Sequence, residues 1–194
     1  MTLYKNKYRI ESCRLKSWDY SSPGYYFVTI CTKHFEEPFG KIVDGRVVLY
    51  KVGKIANKYW QGIPKHFKNV SLDEFIVMPN HIHGIIIINI PYDPGFCRDV
   101  ACNVSTDAQS NPSKFMSNIS PDPRALGAIV RSFKSAVTNW CNKNGCGNFA
   151  WQSRYYDHLI CDERSLYAIR NYINCNPANW AHDTPASPIS PVET

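Results

Sequence analysis

His81 and His83 bracket one isoleucine in the stretch MPNHIHGIIII, residues 78–88. In a β-strand successive side chains face opposite ways, so both imidazoles point to one face and Ile82 to the other. Two imidazoles on one face are expensive to bury unless something uses them. Such a pair could share a metal ion; the alternative is that each satisfies a hydrogen bond at a strand edge. Further along, Tyr172 and Asn176 stand four residues apart in ERSLYAIRNYINCNP. On a helix this spacing makes them neighbours, with Cβ atoms roughly 5–6 Å apart. A phenol beside a carboxamide is either plain polar surface or a nucleophile next to a metal ligand.

These residues need elements to hold them. GYYFVTICT (24–32) is β-branched and aromatic, hence a strand, and FGKIVDGRVVLY is a hairpin turning at Asp44-Gly45. KVGKIANKYWQGI spaces Val52, Ile55, Ala56 and Tyr59 as a helix face, with Pro64 beyond its end. SLDEFIVMP and HIHGIIIINI are two strands broken at Pro79-Asn80. Leu126, Ile129, Val130, Phe133, Val137 and Trp140 form the apolar face of a long helix ending near Gly145, with Arg131, Lys134 and Ser135 off that face. FAWQSRYYDHLI is a further strand, and Asp162 caps a last helix that stops at Pro177. Few helices and hairpin-linked strands favour an α+β fold over a doubly wound one.

Length and composition bound the rest. A chain of 194 residues fits one domain with a real core. We expect a basic N-terminal arm over 1–20, the domain over 21–180 with a loop insertion at about 91–123, and a tail over 181–194. The insertion is rich in Pro, Ser, Asn and Asp and lacks periodicity. A net charge of +6 favours a polyanionic partner. None of the eight cysteines forms a C-x-x-C pair, which argues against a zinc ribbon and for small core residues in a reducing, cytoplasmic setting. No signal segment or membrane span is legible, and neither G-x-x-x-x-G-K nor G-x-G-x-x-G occurs, so a nucleotide cofactor has no support.

The segments MPNHIHGII, IVRSFKSAVTNW, WQSRYYDHLI and YINCNPANW, with PGYYFVTICT near the start, together resemble the single-tyrosine HUH transposases, specifically the REP-associated tyrosine transposase branch. The resemblance spans roughly residues 8–180. It implies a ferredoxin-like domain whose central antiparallel sheet carries the histidine pair, with helices packed on it. It implies a divalent ion, Mg²⁺ or Mn²⁺, on His81 and His83, with Tyr172 as nucleophile. Relatives elsewhere in the superfamily place a glutamine ligand four residues after the tyrosine; this chain has Asn176 there, as the REP-associated branch does, one methylene shorter.

The implied substrate is hairpin-bearing single-stranded DNA, cut through a 5′-phosphotyrosine intermediate. Because only about one free tyrosine in a thousand is ionised at pH 7, a base or the metal must assist, and His158 in YYDH is a candidate. Arg9, Arg14, Lys16, Arg131 and Lys134 are candidate phosphate contacts, and Tyr155 and Tyr156 candidate stacking platforms. The protein would act as a monomer or a homodimer. Two other readings stand beside this one: a DNA-binding protein that keeps the fold but no longer cuts, and a metal hydrolase or oxygenase with an H-x-H strand.

Overall fold

The computed structural model describes residues 18–90 and 125–180. The basic arm as far as residue 17, the 91–123 insertion and the 181–194 tail lie outside the described residues. The elements run β1 (Gly24–Cys31), β2 (Gly40–Val43), β3 (Arg46–Leu49), α1 (Lys51–Gln61), α2 (Ile63–His66), β4 (Val70–Val77), β5 (His81–Ile88), α3 (Leu126–Lys143), β6 (Tyr156–Ile160) and α4 (Glu163–Asn179). Asp44 at φ 50° and Gly45 at φ 68° give the β2–β3 turn its two left-handed residues, as a tight hairpin needs.

Three boundaries differ from the sequence reading. Pro64 opens the short helix α2 instead of lying past a helix end, because its missing N–H has no partner to lose in a first turn. The strand expected across FAWQSRYYDHLI contracts to Tyr156–Ile160, and Trp151 ahead of it makes an isolated bridge with Thr32. The last helix runs past Pro177 to Asn179; a proline this near the C-terminus forfeits one backbone bond, and its ring is buried.

The main sheet is antiparallel in the order β4-β5-β1-β6. Two β-α-β units interleave, with β1 joined to β4 by a crossover containing the β2–β3 hairpin, α1 and α2, and β5 joined to β6 by way of α3. This is the ferredoxin-like arrangement. The alternation that puts His81 and His83 on one face sorts the whole sheet. Tyr26, Val28, Ile30, Ile82, Ile86 and Ile88 turn towards α1 and α3 and build the main core. Phe27, Ile85 and Ile160 turn the other way and meet Ile173 of α4 in a smaller one. The histidines therefore sit between the sheet and α4.

Two local features fix β5 and α4. Gly84 carries no side chain because Trp60 lies on it: an added Cβ would stand 2.3 Å from the indole Cζ2. Gly84→Ala must push back a fully buried tryptophan, and we expect a loss of about 1–3 kcal/mol in urea unfolding. On the opposite edge, the β4–β5 register slips between Leu72 and Phe75, a β-bulge that aims Asp73 at α4. Its carboxylate accepts from Arg170 Nε at 3.0 Å and from Nη2, a forked pair two residues before Tyr172. The guanidinium holds the Asp73 carboxyl below its usual range, so the clamp is intact at neutral pH and is lost only on acidification below about pH 4. We expect Asp73→Ala to lower Tm by only about 2–4 °C while speeding hydrogen exchange selectively in α4.

Candidate active site

The β4–β5 corner sets the first histidine. Thr32, just past the end of β1, donates its amide to the Asn80 carbonyl at 2.9 Å, and its hydroxyl lies between that carbonyl at 2.9 Å and the Glu36 carbonyl at 2.6 Å. This holds the buried Asn80 so that its side-chain oxygen meets His81 Nδ1 at 2.7 Å. A carboxamide oxygen only accepts, so the proton sits on Nδ1 and the lone pair on Nε2. That Nε2 is buried and has no hydrogen-bond partner.

His83 is held from β1. Thr29 lies opposite it in the register, and the Thr29 hydroxyl meets His83 Nδ1 at 2.8 Å. On the far side of the ring, His83 Nε2 meets the Tyr172 hydroxyl at 3.3 Å. With Nδ1–H donating to Thr29, Nε2 is free to accept from the phenol. Phe27 stacks on the His83 ring at 5.4 Å and takes Tyr172 edge-on at 6.2 Å, so an apolar wall fixes both rings. The His81 and His83 rings stand 4.4 Å apart, and Trp180 stacks on His81 at 5.9 Å.

Burial pushes the His81 pKa down to about 4 and that of His83 well below the ordinary imidazole value, with its neighbour His81 adding to the effect. Both rings are therefore neutral at pH 7, the form that can ligate a metal or take a proton. Asn176, one turn beyond Tyr172, is 1% exposed. Among the described residues no three His, Cys, Asp or Glu side chains form a metal-binding group, so an ion here would draw on the imidazole pair and an amide oxygen. The partnerless His81 Nε2 is the feature of the chain that such an ion would fit.

The other candidates fall in different places. His158 lies opposite Phe27 on the same face of the sheet, but it is exposed and on the far side of β1 from the histidine pair; the imidazole that meets the Tyr172 hydroxyl is His83. Tyr156 shares a row with Thr29 and His83 and packs edge-on to Phe27 at 6.4 Å, whereas Tyr155 packs against the main core. Arg131 is exposed on α3, across the sheet from Tyr172. Lys134 turns inward, donating to the Gln152 carbonyl and lying 5.9 Å from the Trp151 ring centroid. Arg9, Arg14 and Lys16 lie outside the described residues. Sequence reasoning missed Thr29, Asn80, Phe27 and Trp180. Asn80 had a signal, its place beside His81; Thr29 had none without the β1–β5 register.

No family model matches the chain. A Haemophilus influenzae protein described only as uncharacterized is 41% identical over 172 residues, covering 89% of this chain and 90% of that protein. Among solved structures, a REP-associated tyrosine transposase bound to a REP hairpin superposes with a TM-score of 0.56 at 15% identity, covering 88% of this chain and 74% of that one. The chain belongs to one family with the Haemophilus influenzae protein, and its fold is that of the REP-associated tyrosine transposase.

Proposed function

We propose that this chain is a metal-dependent nicking and joining enzyme for single-stranded DNA, acting at hairpin-bearing elements through Tyr172. The observation that carries the reading is the Tyr172 hydroxyl on His83 Nε2, at 3.3 Å, beneath a pair of neutral, pre-oriented imidazoles. The fold shared with a transposase that binds a REP hairpin supports it.

The Tyr172 oxygen attacks a backbone phosphorus and displaces the 3′-oxygen of the preceding nucleotide. One phosphodiester becomes a 5′-phosphotyrosine, and the departing oxygen takes up a proton to leave a 3′-hydroxyl. One ester is exchanged for another, so the step is near neutral in energy and reversible, and joining is its reversal with a new 3′-hydroxyl. The single lone pair on His83 Nε2 is aimed at the phenol and would turn to an ion when one binds, while Thr29 on Nδ1 fixes the ring in either case. His81, His83 and Asn176 are the side chains that would hold a divalent ion, which supplies charge stabilisation for the phosphate oxygens. Phe27 and Trp180 keep the two rings in place.

The hydrolase or oxygenase reading has less to draw on. It needs a third His or Glu from a neighbouring strand, and the residues facing the pair across the ladders are Thr29, Cys31 and Ile76. The direct test is to incubate the full chain with hairpin-flanked single strands and Mn²⁺ or Mg²⁺, then denature it. We expect a detergent-stable protein–DNA adduct and a free 3′-hydroxyl fragment, both lost with EDTA. Tight binding without an adduct would favour the protein that keeps the fold but does not cut.

A further inference from the structure

The helical face opposite Tyr172 has a charge pattern that the tyrosine chemistry does not use. Residues 50–72, which hold α1 and α2, contain Lys51, Lys54, Lys58, Lys65 and Lys68 and no Asp or Glu. Residues 125–156, which hold α3, contain Arg131, Lys134, Lys143 and Arg154, again with no acid. A solvated helix face ordinarily mixes both signs to gain i,i+4 pairs; here that stabilisation is given up across three helices. Lys54, Lys58, Lys65 and Lys143 are exposed, and none has an ion-pair partner among the described residues.

Between these helices lies a cavity of about 380 Å³. Its walls include Tyr59, Phe67 and Trp140, all half-buried, and its rim includes His66, Asn139 and Lys143. Lys51 Nζ stands 5.5 Å from the Trp140 ring centroid and so brings charge to the aromatic wall. An aromatic cleft in an acid-free, lysine-studded surface is the pattern that holds unpaired bases by stacking while cations follow the backbone. A duplex, with its bases already stacked, would leave the cleft unused.

We propose that the α1–α2–α3 face is a second binding surface for single-stranded DNA, seating an unpaired base between Tyr59, Phe67 and Trp140 with its flanking phosphates on Lys54, Lys58, Lys65 and Lys143. The proposal rests on the single-strand substrate inferred above, and it assigns that strand a grip remote from the scissile phosphate. The surface has its own phosphate ladder and does not depend on the histidine pair.

The test uses the full chain with Tyr172→Phe, so that binding is read without turnover, and a labelled unstructured thymidine strand. With Lys54, Lys58, Lys65 and Lys143 all replaced by alanine, the dissociation constant should rise roughly tenfold or more, and the slope of log K against log salt should flatten by about 2–3. Iododeoxyuridine strands should photo-cross-link to peptides containing Tyr59, Phe67 or Trp140. These lysines are exposed, and circular dichroism will verify the fold. An unchanged dissociation constant and slope, cross-links confined to the α4 face, or a blunt duplex bound as tightly as the strand would each overturn the proposal. A short strand spanning the cleavage site should still form its adduct when the same lysine replacements are made in a chain with Tyr172 intact. If no adduct ever forms yet the lysine variant loses the strand, this surface stands and the tyrosine reading falls.

Discussion

We expect Tyr172→Phe to fold, to bind hairpin-flanked single strands and to yield no covalent adduct. The substitution removes one oxygen. Its structural cost is the contact with His83 Nε2, about 1 kcal/mol by the usual worth of a side-chain hydrogen bond, while the phenyl ring keeps its place against Phe27 at the edge of the smaller core. Affinity drawn mainly from phosphate contacts should change less than twofold. The chemistry loses its nucleophile outright, so adduct formation should fall to the detection limit. Tyr156 is the nearest competitor, in the same row as His83, and Tyr155 faces away into the main core. Tyr155→Phe and Tyr156→Phe should still form the adduct, perturbed only in rate. Gel analysis of denatured reactions reads all three variants side by side.

His83→Ala should be as severe, for a different reason. His83 touches both the Tyr172 phenol and Thr29 of β1. The variant removes a proposed ligand of the ion that stabilises the phosphate charge, together with the contact that positions the phenol. His81→Ala leaves the Tyr172–His83 contact in place but takes away the partnerless Nε2. We expect both alanine variants to retain DNA binding and to lose strand cleavage by at least 10²-fold. Thr29→Val should show a graded loss of about tenfold, the scale of a group that orients a ligand without touching substrate. Equal loss of binding and cleavage in a folded histidine variant would show that the pair serves the DNA surface or the fold instead.

Much of this arrangement is legible in the chain itself. The period-two alternation in HIHGIIII places both histidines on one face, and the sheet buries its isoleucines as that alternation requires. The Asp44-Gly45 hairpin, the apolar stripe of α3 and the Asp162 cap were each readable because local chemistry decides them. The α4 tyrosine was singled out by its spacing to Asn176. That Tyr172 would land on His83 was not legible, since it depends on how α4 docks across β5, through Ile173 and the Arg170–Asp73 clamp. The clamp needs a bulge in β4, and SLDEFIV carries no glycine or proline to announce one. His158 drew attention by its neighbours in sequence, although register places it a strand further away. Lys134 read as a surface cation, yet its alkyl stem allows it to reach back to the Gln152 carbonyl.

The central claim is that one oxygen, on Tyr172, carries the DNA. The measurement that addresses it most directly is peptide mapping of the trapped adduct: wild-type chain, a hairpin-flanked single strand and Mn²⁺, followed by proteolysis and mass spectrometry of the nucleotide-bearing peptide. We predict a single modified peptide containing residues 171–176, with the 5′-phosphate on Tyr172. A nucleotide on any other tyrosine, or cleavage with no protein-linked strand at all, would contradict the account.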